Sequence, residues 1–107
     1  MRFEAFDLSL LFIRRLEPVA RRLRTRDAEL HRQLRRAASS ISLNLAEGAG
    51  RSGNDRRHHY RIAAGSAREA DAALQVAEAW GELQTSELRG VYELLERLHQ
   101  ILWRLVH

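Results

Sequence analysis

The stretch SELRGVYELLERLHQILWRL, residues 86–105, decides the fold class. Its apolar residues recur at alternating steps of three and four, which is the spacing of a single buried stripe along a helix. The stripe consists of Leu88, Val91, Leu95, Leu98, Leu102 and Leu105. A half-buried strand would need apolar residues at every second position, so the pattern predicts a helix that starts after Thr85 or Ser86.

Two helices of similar length are predicted immediately before this one. Helix three runs from about Arg56 to Trp80, stops at Gly81 and has Asn54 or Asp55 as its cap. One of its faces carries mainly small side chains, namely Ala63, Ala67, Ala70, Leu74 and Ala77. Helix two has an apolar stripe of Leu30, Leu34, Ala37 or Ala38, Ile41 and Leu45. A helix with small side chains allows a neighbouring helix to approach closely.

The ends of helix two are predicted from its flanking residues. Asp27 or Thr25 can cap its first turn by accepting hydrogen bonds from free N–H groups. Gly48 stands where a left-handed terminating residue is expected. A turn-rich connection follows, from Gly48 to Asp55.

Helix one has apolar residues on more than one side. Its predicted core stripe is Phe6, Leu10, Ile13, Leu16, Ala20 and Leu23. The remaining large apolar side chains are predicted to form an oligomer interface, because a helix packed on one face does not require them: Phe3, Leu8, Leu11 and Phe12. Pro18 is expected to kink this helix, since it lacks an N–H group. Residues 1–107 are thus predicted to form one domain, an all-α, antiparallel up-down-up-down four-helix bundle.

The charges are unevenly distributed along the chain. All 18 basic residues are Arg; residues 20–68 carry twelve of them against four acids, whereas residues 69–107 carry three against seven. Simple solvation is better served by mixed charge, so the basic middle favours contact with a polyanion. The residues predicted to bind nucleic acid are Arg21, Arg22, Arg24, Arg26, Arg32, Arg35, Arg51, Arg56, Arg57 and Arg61.

Motifs for catalysis and metal binding find little support. The glycines at 48, 50 and 53 spell a dinucleotide-binding fingerprint, but a helix precedes them where that motif needs a strand. Glu96 and His99 resemble half of a di-metal motif, yet each lies one step past a core position. His58 and His59 point about 100° apart on a helix and do not jointly ligate one metal in the usual manner. We therefore predict no enzyme activity, no metal and no cofactor.

The chain is also predicted to lack a membrane anchor. It contains no Cys, which fits a reducing compartment, and its apolar run from Leu8 to Ile13 is far shorter than the roughly 20 residues that a membrane span needs. No signal peptide is expected at the start of the chain, where Glu4 follows closely on Arg2. A cytoplasmic location is the default expectation.

Residues 35–48, RRAASSISLNLAEG, carry a family resemblance, and residues 60–69, YRIAAGSARE, look like its continuation. The first block resembles a four-helix-bundle family encoded in intervening sequences of bacterial 23S ribosomal RNA genes. The resemblance implies a ring-shaped homopentamer. It also implies kinship with the accessory variability protein of diversity-generating retroelements, which binds nucleic acid and a reverse transcriptase. The chain departs from the family pattern at Pro18 and in lacking a Pro between Ile41 and Asn44.

The same two blocks predict a partly buried polar network between helices two and three. In an antiparallel register, Arg36 would lie beside Glu69, Ser40 beside Gly65, Asn44 beside Arg61, and Glu47 near His58. The predicted members are Arg36, Ser40, Asn44, Glu47, Ser66 and Glu69. An inward-facing Asn or Glu without a partner would cost a few kcal/mol, so the network is expected to be internally hydrogen-bonded.

The sequence favours a homo-oligomeric nucleic-acid-binding or scaffold protein that presents arginines of helices two and three to phosphate groups, without a cofactor. RNA or DNA and further copies of itself are the expected partners. The alternative is a protein-interaction module whose basic face meets an acidic partner protein, such as a reverse transcriptase. A metal-dependent enzyme on a bundle scaffold ranks third.

Overall fold

A computed structural model describes residues 3–107 as four α-helices, with no β-strand in that range. The helices are α1 (Glu4–Arg26), α2 (Ala28–Ala49), α3 (Gly53–Ala79) and α4 (Thr85–Val106). Each packs against two others: α1 against α2 and α4, and α3 against α2 and α4. This cycle of neighbours is a four-helix arrangement, and its extents are 43 × 23 × 21 Å. No helix within residues 3–107 is long and apolar enough to cross a membrane.

The predicted stripes of α3 and α4 meet in the core. The five small-sided positions of α3 are fully buried, and Leu88, Leu95, Leu98 and Leu102 of α4 are at most 1% exposed. Small side chains on α3 allow α2 to come close, and the α2–α3 pair has the most extensive contact in the bundle. All the predicted core positions of α3 and α4 are therefore buried except Leu105, which is half-buried, and Leu94 is buried although it was not predicted.

The predicted phase of α1 is wrong. Leu8 and Phe12 were expected at an oligomer interface, but they are 7% and 0% exposed and belong to the core of the chain itself. Phe3 is half-buried against the ring of Tyr60, with the centroids 5.9 Å apart. Leu11 alone of the four is exposed. The physical reason is that α1 lies between α2 and α4 and therefore buries a wider arc than one stripe.

The side chains that were expected in the α1 core lie at its edges. Phe6, Leu10, Ile13 and Ala20 are only half-buried, whereas Leu16 and Leu23 are buried as predicted. Helix α1 continues from Glu4 to Arg26 through Pro18. The one N–H that Pro18 lacks does not end the helix.

Side chains and glycines define the helix ends. Asp27 accepts a hydrogen bond from the Leu30 N–H (3.0 Å), which confirms it as the cap of α2. Gly81 has a φ of +75° and follows the last turn of α3, as predicted. The α3 cap differs from the expected Asn54 or Asp55, because the helix begins earlier, at Gly53 after Ser52. Gln84 and Glu87 form a reciprocal capping box at the start of α4.

Two polar contacts tie α4 to α3. The Tyr92 hydroxyl donates to Glu78 Oε1. The Thr85 hydroxyl donates to Glu78 Oε2 over 2.7 Å. Burial, and then the Glu78 carboxylate, raise the pKa of Tyr92. The phenol is thereby held in its neutral, donating form, which fixes the start of α4 against α3.

Gly48 serves close packing and not helix termination. It was predicted to be a left-handed terminating residue, but it is buried inside α2, and only Gly53 and Gly81 have positive φ among residues 3–107. A Cβ atom at Gly48 would lie 2.6 Å from Tyr60 Cε1 and 3.2 Å from the Arg56 carbonyl oxygen. Because Gly48 has no Cβ atom, α2 can approach the first half of α3 closely at this position.

We expect Gly48→Ala to destabilise the fold by about 1–3 kcal/mol, because the new methyl group overpacks against the buried Tyr60 ring. Gly50→Ala is the matched control: its Cβ would meet only the Glu47 carbonyl oxygen at 3.6 Å, and its φ is −85°. That control should be neutral or slightly stabilising. Urea denaturation followed by circular dichroism measures both, and equal stability of the two variants would contradict the close-packing role.

Glu82 lies in the connection between α3 and α4, close to the cap of α2. Its Oε2 atom is buried without a hydrogen-bond partner in the described part of the chain. Burial, and then the negative charge of Asp27, raise the pKa of Glu82. Folding therefore shifts the proton equilibrium of this carboxyl group towards its protonated form.

A raised folded-state pKa means that Glu82 favours folding below its unfolded-state pKa, and that this contribution is lost as pH rises through the folded-state pKa. Glu82→Gln should consequently be more stable than the parent chain near neutral pH. The difference should shrink towards about pH 4, the ordinary range of Glu. Urea denaturation across this pH range, with Glu93→Gln on the exposed face of α4 as control, tests it. A difference that does not change with pH would refute it.

Candidate nucleic-acid interface

A groove of about 560 Å³ lies between α1 and α2 and contains two predicted arginines that have no partner, Arg24 and Arg35. Its base is formed by apolar side chains beside the α1–α2 contact, namely Ile13, Leu16, Ala20 and Ala38. Its polar side chains are Glu17, Arg21, Arg24, His31, Arg35 and Ser39. One carboxylate thus faces three guanidinium groups, and the groove is positively charged.

The arginines of this groove differ in their pairing. Arg21 Nε donates to Glu17 Oε1 over 3.0 Å, one helical turn away. Arg24 and Arg35 are exposed and have no hydrogen-bond or ion-pair partner among residues 3–107. They come from two different helices, so only the packing of α1 on α2 brings them to one groove. A polyanion could bind both without displacing a carboxylate.

Arg22 and Arg26, which were also predicted to bind nucleic acid, lie on the side of α1 that meets α4. Arg22 Nη2 pairs with Glu87 Oε2 at 3.1 Å. Arg26 Nη1 donates to the main-chain carbonyl oxygen of Glu82 at 2.5 Å. These two side chains connect the end of α1 to the beginning of α4 and the loop before it.

The arginines around the α2–α3 connection are largely occupied by local contacts. Arg51 pairs with Glu47 at 3.1 Å and with Asp55 at 2.9 Å, and these two carboxylates raise the pKa of Arg51. Arg56 donates to the carbonyl oxygens of Gly48 and Ala49 and so caps the end of α2. Exposed ion pairs such as those of Arg51 contribute little to stability and can exchange, but they reduce the net positive charge that a ligand meets.

The remaining predicted arginines fall into separate places. Arg32 pairs with Glu29 on the same helix, and Arg57 donates to the Asn54 side-chain oxygen. Arg61 lies in a second groove, between α3 and α4. The arginines predicted to bind nucleic acid are therefore divided over the bundle, and several of them are paired with carboxylates.

A hydrogen-bonded chain joins α2 and α3 near the predicted polar network. Ser66 donates to Ser40 Oγ (2.8 Å), and Asn44 Nδ2 donates to the Ser40 carbonyl oxygen (3.0 Å). The chain continues from Asn44 Oδ1 to His59 Nδ1, at 3.1 Å. Its members are half-buried or buried. The predicted network is smaller than expected but lies at the same place.

Three predicted members lie outside this network. Arg36, Glu47 and Glu69 are exposed, and Glu47 pairs with Arg51. His59 was missed, since the predicted register placed Arg61 beside Asn44. The bond between Ser9 and Ser42 (2.7 Å), which joins α1 to α2, was also missed, because nothing in the pattern of helix one marked Ser9 as inward-facing.

The residues weighed as metal ligands do not come together. Glu96 is exposed on α4, and His99 Nε2 lies 3.4 Å from Asp71 Oδ2 across the α3–α4 contact. Within residues 3–107 there is no group of three or more His, Cys, Asp or Glu side chains that could hold a metal ion.

Comparison with known proteins gives one family and one related structure. A family model described as 23S rRNA-intervening sequence protein matches residues 3–104. A crystal structure of a protein of unknown function from the S23 ribosomal protein family of Bacteroides thetaiotaomicron is similar in fold, with a TM-score of 0.85 and 19% identity. The match covers 95% of this chain and 97% of that one. The search of curated proteins found no match.

Proposed function

This chain belongs to the 23S rRNA-intervening sequence protein family, and on that premise we propose that it is a non-catalytic, homo-oligomeric protein that binds nucleic acid through phosphate contacts. The groove between α1 and α2 carries the proposal, because Arg24 and Arg35 meet there without carboxylate partners. The interface thus shifts from the predicted arginines of helices two and three to those of helices one and two. The cytoplasm is its proposed compartment, since a Cys-free chain fits a reducing environment.

Guanidinium groups on exposed helices suit the phosphate backbone and not a base sequence. They make charge-assisted, bidentate hydrogen bonds to phosphate oxygens. Two such groups in a groove, with His31 between the helices, would follow a sugar-phosphate chain regardless of its bases. Weak sequence selectivity and steep salt dependence follow.

The proposed bundle is antiparallel and assembles as a ring. Pairs across α2 and α3 support opposite directions: Ser40 contacts Ser66, while Asn44, later in α2, contacts His59, earlier in α3. Exposed apolar side chains on α2 and α3 offer contact area for self-assembly, among them Leu43 at 69% exposure. The homopentamer is the assembly that the family resemblance implies.

The second candidate is a module that binds an acidic partner protein. Trp80, 74% exposed at the end of α3, favours it, because large exposed aromatic side chains are typical of protein-binding surfaces. The resemblance to the accessory variability protein of diversity-generating retroelements suggests a reverse transcriptase as such a partner. A partner that remains bound after nuclease treatment would favour this role, whereas a partner lost with the nucleic acid would favour the first.

We expect the double variant Arg24→Gln and Arg35→Gln to bind RNA and DNA more weakly. The slope of log affinity against log salt should fall by about one for each phosphate contact removed. Filter binding over a salt series measures both quantities. Because both side chains are exposed, the helical circular dichroism signal should not change.

The matched control is Arg32→Gln, whose guanidinium already pairs with Glu29 on an exposed part of α2. It removes one positive charge at a paired site, so it should weaken binding less than Arg24→Gln alone or Arg35→Gln alone. Equal losses would indicate that affinity follows net charge and not the groove. Absence of any affinity at low salt would refute nucleic-acid binding altogether.

The assembly makes a separate prediction. Light scattering coupled to size exclusion should give about five times the 12.4 kDa mass of the chain. Leu43→Glu should lower this mass, because it introduces charge at an exposed apolar position without disturbing the core. A monomer at high protein concentration would contradict the proposed ring.

A further inference from the structure

A second basic groove, of about 400 Å³, lies between α3 and the last turns of α4. Its apolar base is formed by Ala64, Leu102 and Val106, and its polar and aromatic side chains are Arg61, Arg68, His99, Trp103 and His107. No Asp or Glu side chain is among the residues that line it. His99 Nε2 lies 3.4 Å from Asp71 Oδ2.

The two arginines of this groove are free to bind a ligand. Arg61 and Arg68 are exposed and have no hydrogen-bond or ion-pair partner within residues 3–107. They lie on α3, seven residues apart, and so stand two turns apart along one helix face. The distance along the axis is roughly 10 Å, enough to contact successive phosphates of a single strand.

Trp103 has an exposed indole ring, and a site that makes only phosphate contacts would not need one. Its side chain is 63% exposed, although burial of an indole would contribute more to stability than burial of most other side chains. Its ring stands beside that of His107, with the centroids 4.6 Å apart and the planes inclined by 43°. Much of the indole surface thus remains open to solvent at the edge of a positively charged groove.

The indole lines two grooves. The other is lined by His99, Gln100, Trp103 and Arg104 and has a volume of about 390 Å³. Arg104 is exposed and unpaired in the described part of the chain. Both grooves that contain the exposed indole therefore also contain unpaired guanidinium groups, an arrangement that suits a strand running past the ring better than a single small anion.

We propose that Trp103 and the grooves beside it form a binding site for single-stranded nucleic acid, in which one base stacks on the indole. Arg61 and Arg68 contact the backbone on one side of that base, and Arg104 contacts it on the other. The inference rests on the proposed function and deepens it by naming the strand state of the ligand. In a duplex, paired bases are stacked on one another and offer no face to the indole.

Tryptophan fluorescence tests the site directly, because the chain contains only Trp80 and Trp103. Trp80 is 74% exposed and lies outside both grooves, so Trp80→Ala leaves Trp103 as the reporter. Trp103→Ala leaves Trp80 in its place and is the matched control. Both positions are exposed, so neither substitution removes a core side chain.

With short oligouridylate or oligothymidylate, we expect quenching of Trp103 in the Trp80→Ala variant and no change of Trp80 in the Trp103→Ala variant. Anisotropy of the labelled oligonucleotide should show affinity about tenfold weaker for Trp103→Ala, the effect of one lost base stack. Arg61→Gln with Arg68→Gln should weaken both signals in the Trp80→Ala background. A duplex of the same length should not quench Trp103.

The outcomes separate this site from the proposed function. Oligonucleotide binding that leaves Trp103 unquenched would overturn the site, while phosphate binding elsewhere would stand. Quenching that persists after substitution of Arg24 and Arg35 would support a site separate from the α1–α2 groove. Equal quenching by free uridine monophosphate at the same affinity would overturn a strand as the ligand. Failure of any oligonucleotide to bind would overturn both.

Discussion

The close contact of α2 with α3 is the constraint on which the rest of the structure depends. It requires a glycine at position 48, where any larger residue would meet the Tyr60 ring, and alanines along the facing side of α3. With the two helices this close, small polar side chains can reach each other directly, as Ser40 and Ser66 do at 2.8 Å. Register and hydrogen bonding are therefore consequences of side-chain size.

The four helices differ in how well their sequence predicts their packing. Helix α4 has one apolar stripe, and five of its six buried residues were predicted from periodicity, Leu94 being the exception. Helix α1 is apolar on several sides, so periodicity does not determine which side faces inward. Phe12, fully buried, and Ile13, half-buried, differ by one position and are equally apolar. Only contact with both α2 and α4 selects between them, and that information is absent from the local pattern.

The arginines likewise differ in whether their contacts can be predicted from the local sequence. Pairs such as Glu17 with Arg21 and Glu47 with Arg51 are four residues apart on one helix and could have been identified from the sequence. The bonds from Arg22 to Glu87 and from Arg26 to the Glu82 carbonyl oxygen join distant parts of the chain. Net charge therefore overstates the free positive surface, since a count of arginines does not reveal which have partners.

Four of the unpaired arginines lie in two of the grooves between helices. Arg24 and Arg35 lie in the groove between α1 and α2, and Arg61 and Arg68 in the groove between α3 and α4. These two helix pairs share no helix. Arg22 and Arg26, near the end of α1, are by contrast bonded to α4 or to the loop before it. A ligand that neutralised both free pairs would have to bind two separate surfaces, so a long flexible polyanion fits the charge distribution better than a compact one does.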